Sequence, residues 1–412
     1  MIHSTIYLRM RFFGKGSGRE LGLVIDIGSA SVGAALVLLD GEGAPQIISS
    51  TRHPITVSVN DNQSSFFHAM LSSLSEVLRG VVEYGLSTKS AREIGSRPSH
   101  ILCSLTSPWY RAQTRVVRYT QPEYFTVTPE LLRSLLVQEV KRFQESALKE
   151  ERRGASNSEG YIIDSTTISM KLNGYQTAEP FDRKTKSVEA TAFLSLASQE
   201  VIQGVEHAIS KYFHTENLRI HSFPLIAFTL VRDLFINVDD FLILDVSGEV
   251  IDLSVVRGGI LEKTVSTPLG RNSIIRGVAE AFHMDPEHAL SLLRLYGSGS
   301  AERSVIGRIE KILEKEVASF NTFFGSFITD IKNRHVGSVP RAVFATLDEE
   351  LLRWLLAYFK KNRIDKVVFG DLTFNVYLLG EQLFASYLGF TKGVRRDPFI
   401  MIETLFLNNR LR

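Results

Sequence analysis

LGLVIDIGSASVGAALVLLDGEG, residues 21–43, is the stretch that decides the fold. An apolar run, Leu21 to Ile27, breaks at Gly28-Ser29-Ala30-Ser31. A second run, Val32 to Leu39, follows and stops at Asp40-Gly41-Glu42-Gly43. Two strand-length apolar runs around a small-residue turn read as a β-hairpin with one carboxylate, Asp26, at its bend. A related stretch returns at residues 242–259, LILDVSGEVIDLSVVRGG. Laying Asp26 on Asp245 places Leu23-Val24-Ile25 on Leu242-Ile243-Leu244 and Gly33 on Asp252. Two matching hairpins far apart in one chain point to two similar half-domains facing one another. Turns of this kind present backbone N–H groups that wrap phosphates, and carboxylates hold Mg2+ through water. A nucleoside triphosphate and its metal would suit the gap. A single Asp-x-Gly turn is equally an ordinary buried hairpin; the ordered pair is what points to two lobes.

The bulk of the chain agrees with a packed protein. Its 412 residues suffice for two or three domains, and 44% hydrophobic against 22% charged residues supports a sizeable core. A net charge of +2 argues against nucleic acid as the main partner. The one cysteine, Cys103, excludes an internal disulfide framework, fits a reducing cytosol, and lies in an apolar run that predicts a buried thiol. No apolar run approaches the roughly 18 residues of a spanning helix. The ten histidines show no metal-ligand spacing.

The first hairpin, and above all DIGSASV at residues 26–32, resembles the phosphate loop of the actin-like ATPase superfamily in its FtsA and PilM branches. The second hairpin stands where that superfamily has its second phosphate loop. The resemblance implies an α/β, actin-like (ribonuclease H-like) fold: two similar lobes around a cleft, with a small inserted α+β subdomain of SHS2 type. It implies ATP and Mg2+ as ligands. The nucleotide-binding candidates are then Asp26, Gly28, Ser29, Ala30, Ser31, Asp245, Ser247, Gly248 and Asp252, with Asp26 and Asp252 as the metal-linked carboxylates.

On this pattern, residues 1–20 form a basic tail and 21–98 the first part of lobe I. Residues 99–197 form the inserted subdomain: a strand, a second strand, a helix opened by Thr128-Pro129-Glu130, then strands at 161–172 and 187–196. Lobe II takes 198–268, a helical part at 269–338, and a return at 339–395 with a last strand at 366–369 and a helix over 378–387. Residues 396–412 form either a closing helix or one that faces a membrane.

The resemblance also exposes departures. Gly33 stands where the family commonly has Lys, which removes a cation. Glu249 stands where a glycine lets the backbone approach phosphate, and so would set a carboxylate against a polyanion. Val250 replaces a hydroxyl donor, and Gly270-Arg271 replaces a glycine pair. The third loop runs Leu347-Asp348-Glu349 with no glycine; Gly370-Asp371 after the next strand is the nearest substitute. The expectation is a retained fold with an eroded pocket, binding ATP weakly or not at all and hydrolysing none. The functional expectation is an FtsA-like cytoplasmic adaptor in cell division, at the inner membrane face. It would meet division or pilus proteins, associate with copies of itself in filaments, and touch the membrane through a terminal helix. The alternatives are a PilM-like pilus-assembly component, whose inserted subdomain takes an extended peptide, and an active ATPase or kinase of the same superfold.

Overall fold

A computed structural model describes residues 18–410 apart from 42, 57–62, 96, 152–159, 335–337, 363–366 and 370. Residues 1–17 of the expected basic tail, and Gly370 of the proposed substitute loop, lie outside the described residues.

The first hairpin is β1 (Glu20–Ile27) and β2 (Ser31–Leu39), and β3 (Gln46–Pro54) extends it antiparallel. On the other side of β1 run two parallel strands, β4 (His100–Leu105) and then β9 (Leu218–Ser222). The second hairpin is β10 (Phe241–Val246) and β11 (Ile251–Arg257), extended antiparallel by β12 (Ile260–Thr267). Beside β10 run the parallel strands β13 (Ala342–Leu347) and β15 (Leu372–Leu378). The two sheets therefore share strand order and direction around their central hairpins. Asp26 pairs with Gly33 in one, and Asp245 with Asp252 in the other, which is the correspondence the sequence implies. The result is the expected α/β architecture of two similar lobes.

The inserted subdomain is a separate antiparallel sheet in the order β5-β8-β6-β7, formed by β5 (Arg111–Thr126), β6 (Gly160–Leu172), β7 (Tyr175–Gln176) and β8 (Lys184–Ser198). One helix, Pro129–Glu151, covers it, packing Leu132, Leu136, Val140 and Phe143 on Val188, Ala190, Ala192 and Leu194. A buried carboxylate docks this unit on lobe I. Asp164 on β6 accepts from Ser222 N at 2.9 Å, from Ser222 Oγ at 2.6 Å and from Ser195 Oγ, and bonds His221 Nδ1 at 2.7 Å.

Several expected boundaries need correction. The insertion is 111–198 rather than 99–197, because β4 belongs beside β1 in the first sheet. The start of the segment expected in lobe II, 198–268, belongs to lobe I: β9 pairs with β4, and helix Gln199–Ser210 packs Ile202, Val205 and Ile209 under the first sheet. The 339–395 return also reaches back to lobe I, where β16 (Gly389–Phe390) pairs with Gln46 and Ile47 of β3. Residues 366–369 are not the last strand. Val367–Phe369 is β14, which forms a hairpin with β15, and of the helix expected over 378–387 only Glu381–Phe384 is helical. Apolar alternation announces a strand but not which of two similar sheets receives it.

Two helices lie between the sheets. Phe223–Val231 of helix Phe223–Leu234 and Phe399–Asn408 of helix Pro398–Asn409 are buried throughout, with β1, β2, β4, β10 and β13 around them. A helix apolar on all sides belongs in a core. Asp397 starts the second one, accepting from Phe399 N at 3.1 Å and Ile400 N at 3.4 Å. This corrects the membrane-facing alternative for 396–412: no apolar face of 399–408 is left for lipid, and the helix closes the two lobes. Cys103 is buried on β4. Among the described residues no helix is long and apolar enough to cross a membrane.

Ile402 has no exposed surface and packs among residues of both lobes. Ile402→Ala is expected to cost about 2–5 kcal/mol in urea unfolding, as cavity formation in a close-packed core does. A surface helix would lose well under 1 kcal/mol.

Candidate functional site

The two hairpin turns meet at the cleft, and they meet in contact. Ser29 Oγ and Ser247 Oγ are 2.9 Å apart, and Ser29 Oγ accepts from Glu249 N at 2.8 Å. Gly248 lies so close to Ala30 that a Cβ built on it would fall 1.9 Å from the Ala30 Cβ. A Cβ on Gly270 would fall 2.2 Å from the Gly248 carbonyl oxygen, so the start of helix Arg271–Phe282 presses on the same turn from behind. The first turn is braced by Gly28 N donating to Ser31 O at 3.0 Å and by Trp109 Nε1 donating to Gly28 O at 2.7 Å.

Asp26 is ion-paired at the wall of the cleft. Its Oδ2 receives Arg52 Nη2 at 2.6 Å, while Arg52 Nε donates to Asp397 at 2.6 Å and Arg52 Nη1 to Ser31 Oγ at 2.9 Å. Arg52 sits on β3 opposite Gly33 of β2, and a Cβ on Gly33 would lie 2.6 Å from Arg52 Nη2. The cation expected to be lost at Gly33 is thus supplied from the neighbouring strand, and the missing side chain is what makes room for it. Burial raises the Asp26 carboxyl, Arg52 opposes that, and Asp397 adds to it. Burial alone would lower the Arg52 guanidinium, but Asp397 and Asp26 outweigh it and hold it above its ordinary range.

The second-lobe aspartates are treated differently. Asp252 accepts from Ser107 Oγ at 2.8 Å and Tyr110 Oη at 3.0 Å, both from the segment after β4, and from Ser266 Oγ of β12. Burial raises its carboxyl, and these hydroxyls pull it back down. Asp245 is buried with an Oδ1 that has no partner; burial pushes it well above 3.8, and the charges of Asp252 and Asp26 push the same way. Glu249 turns out of the cleft, accepting from Asn272 Nδ2 at 2.7 Å and Arg276 Nη1 at 2.8 Å. It is not the carboxylate facing a polyanion that its position in the sequence suggests. In the third loop Asp348 caps helix Glu349–Lys361 through Leu351 N at 2.8 Å and pairs with Arg271 at 3.0 Å.

Seven of the nine candidates line one crevice; Asp245 and Asp252 are buried outside its lining. Its lining includes Asp26, Ser31, Arg52, Arg271, Arg395 and Asp397. The residues present do not fit a magnesium nucleotide between the turns. The Ala30–Gly248 contact leaves no layer for phosphate, Asp26 is ion-paired, and Asp252 is saturated by hydroxyls.

Sequence reasoning missed Arg52, Asp397, Glu403, Ser107 and Tyr110. Glu403 carried a signal: a lone carboxylate in the apolar run of the closing helix. It has no exposed surface and accepts from Ser104 Oγ, its Oε2 has no partner, and burial and the charge of Asp26 push it well above 4.5.

No family model matches the sequence, and no curated protein matches it. Solved structures do. The PilM-PilN type IV pilus biogenesis complex matches with TM-score 0.59 at 14% identity, over 94% of this chain and 98% of that one. Ethanolamine utilization protein EutJ from Carboxydothermus hydrogenoformans matches at 0.42 and 11%, over 96% and 90%. MreB 5 of Spiroplasma citri bound to AMPPNP matches at 0.42 and 8%, over 93% and 95%.

Two measurements check this geometry. Gly248→Ala is expected to destabilise the protein by about 1–3 kcal/mol, since both turns must move apart to admit one methyl group. Glu403→Gln tests the buried carboxyl. Its folded pKa lies above the unfolded value near 4.5, so the folded state binds the extra proton. Wild-type stability is then full below that value and falls as pH rises above it. The variant should match the wild type in acid and exceed it increasingly as pH rises above about 4.5, the gap widening by up to about 1.4 kcal/mol for each step of one in pH until the folded carboxyl ionises.

Proposed function

We propose that this chain, which has the actin-like fold shared with PilM, works as an adaptor and not as an ATPase. The carrying observation is the direct contact of the two turns at Ala30 and Gly248, where such a fold would place phosphate. What remains is a rigid two-lobed body with an appended sheet.

The appended sheet is the element suited to a partner. Strand β5 lies at its edge, pairing only with β8 among the described residues. Val116 and Tyr124 on it are 48% and 63% exposed. An edge of this kind takes an extended peptide as an added strand, with main-chain bonds for affinity and side-chain contacts for specificity. PilM occurs in complex with PilN, and we assign this chain a partner of the same kind: a short segment of a pilus membrane protein, held at the cytoplasmic face. A division adaptor of FtsA type tethered by its last helix is the less supported reading, since Pro398–Asn409 is buried between the lobes.

Isothermal titration and a phosphate-release assay separate adaptor from enzyme. The adaptor shows no saturable heat with Mg-ATP and no release above background; micromolar affinity with steady release overturns it. Titration with the cytoplasmic segment of a neighbouring pilus membrane protein is expected to give saturable binding. Val116→Asp with Tyr124→Ala should weaken that binding at least about tenfold.

A further inference from the structure

Strand β1, strand β3 and the closing helix Pro398–Asn409 converge on one guanidinium. Arg52 Nη2 reaches Asp26 on β1 at 2.6 Å, Nε reaches Asp397 at the head of the helix at 2.6 Å, and Nη1 reaches Ser31 of the first turn at 2.9 Å. The Phe399 ring lies beside the same guanidinium, its centroid 5.8 Å away. Arginine suits this position because its planar fork presents several donors in fixed directions, which a lysine cannot do. The space it fills exists because Gly33 has no side chain. The closing helix in turn packs on β13 of the second lobe. Across the cleft, Ser107 and Tyr110 of lobe I donate to Asp252 of lobe II, and Ser29 bonds Ser247.

We propose that Arg52 is a resident cation that performs permanently the closing role a metal-bound polyphosphate would perform between such turns. It ties the first turn to the closing helix, and through that helix to the second lobe. The protein then has one closed state that needs no ligand, in place of a nucleotide-driven cycle of opening and closing. A partner on the inserted subdomain meets a fixed platform. The inference rests on the reading of the cleft as closed to nucleotide, and it adds what holds the cleft closed.

Backbone amide exchange of the full chain tests it. In the wild type, segments 26–31 and 397–402 should exchange at the same rate with and without millimolar Mg-ATP. In Arg52→Met both segments should exchange about tenfold faster, while 188–196 of the inserted sheet keep the wild-type rate. Arg52→Lys, a cation without the fork, should fall between. Three results overturn the proposal: unchanged rates in Arg52→Met, equal acceleration along the whole chain, or wild-type segments slowed by Mg-ATP. If Arg52→Met does not fold, Asp397→Asn, which retains the helix cap, must show the same local pattern. A uniform or absent effect there overturns the proposal as well. Peptide titration on the same proteins keeps the two readings apart, because a wild type that ignores the peptide counts against the adaptor role and leaves the exchange result standing.

Discussion

A carboxylate taken out of water must meet a cation or hydrogen-bond donors, or give up its charge. The gap between the two lobes buries Asp26, Asp245, Asp252, Asp397 and Glu403, each no more than 6% exposed. The protein resolves them in three ways. Arg52 ion-pairs with both Asp26 and Asp397 through one side chain. Three hydroxyls drawn from both lobes hold Asp252. Burial pushes Asp245 and Glu403 towards their neutral forms. The closing helix, the two turns and the relative placement of the lobes all follow from satisfying this one cluster.

The same cluster sits where the two lobes meet. The twin hairpins still place Asp26 and Asp245 at equivalent points of two sheets with equal strand order. Where the turns meet, Ala30 lies against Gly248 and Ser29 against Ser247, and Arg52 lies over Gly33. The inserted sheet also touches the second lobe, where Thr114 Oγ1 on β5 donates to Leu261 O on β12 at 2.5 Å. It is anchored through Asp164 to β9 and leaves strand β5 at an edge.

Much of this was legible in the residues. The hairpin period, the Asp26–Asp245 correspondence and the helix opened by Thr128-Pro129-Glu130 all carry local signals, and each element formed within a few residues of its expected bounds. The assignment of strands to lobes was not legible, because β4, β9 and β16 join the first sheet across long stretches of intervening chain. The meaning of Gly33 was only half visible. Its missing side chain reads as a lost cation until β3 is paired with β2 and Arg52 is found opposite. Glu249 misled in the same way, since a residue type at a loop position does not say which way the side chain turns, and here Asn272 and Arg276 draw it outward.

The sequence by itself determined most secondary elements and the repetition of one hairpin in two lobes, because these depend on neighbours within a few residues. Only the tertiary structure decided that the last helix closes the core and that Arg52 serves Asp26 and Asp397. It alone brought the two turns into contact. Each of these joins groups far apart in the chain, and whether a buried charge finds its partner is settled by packing in three dimensions.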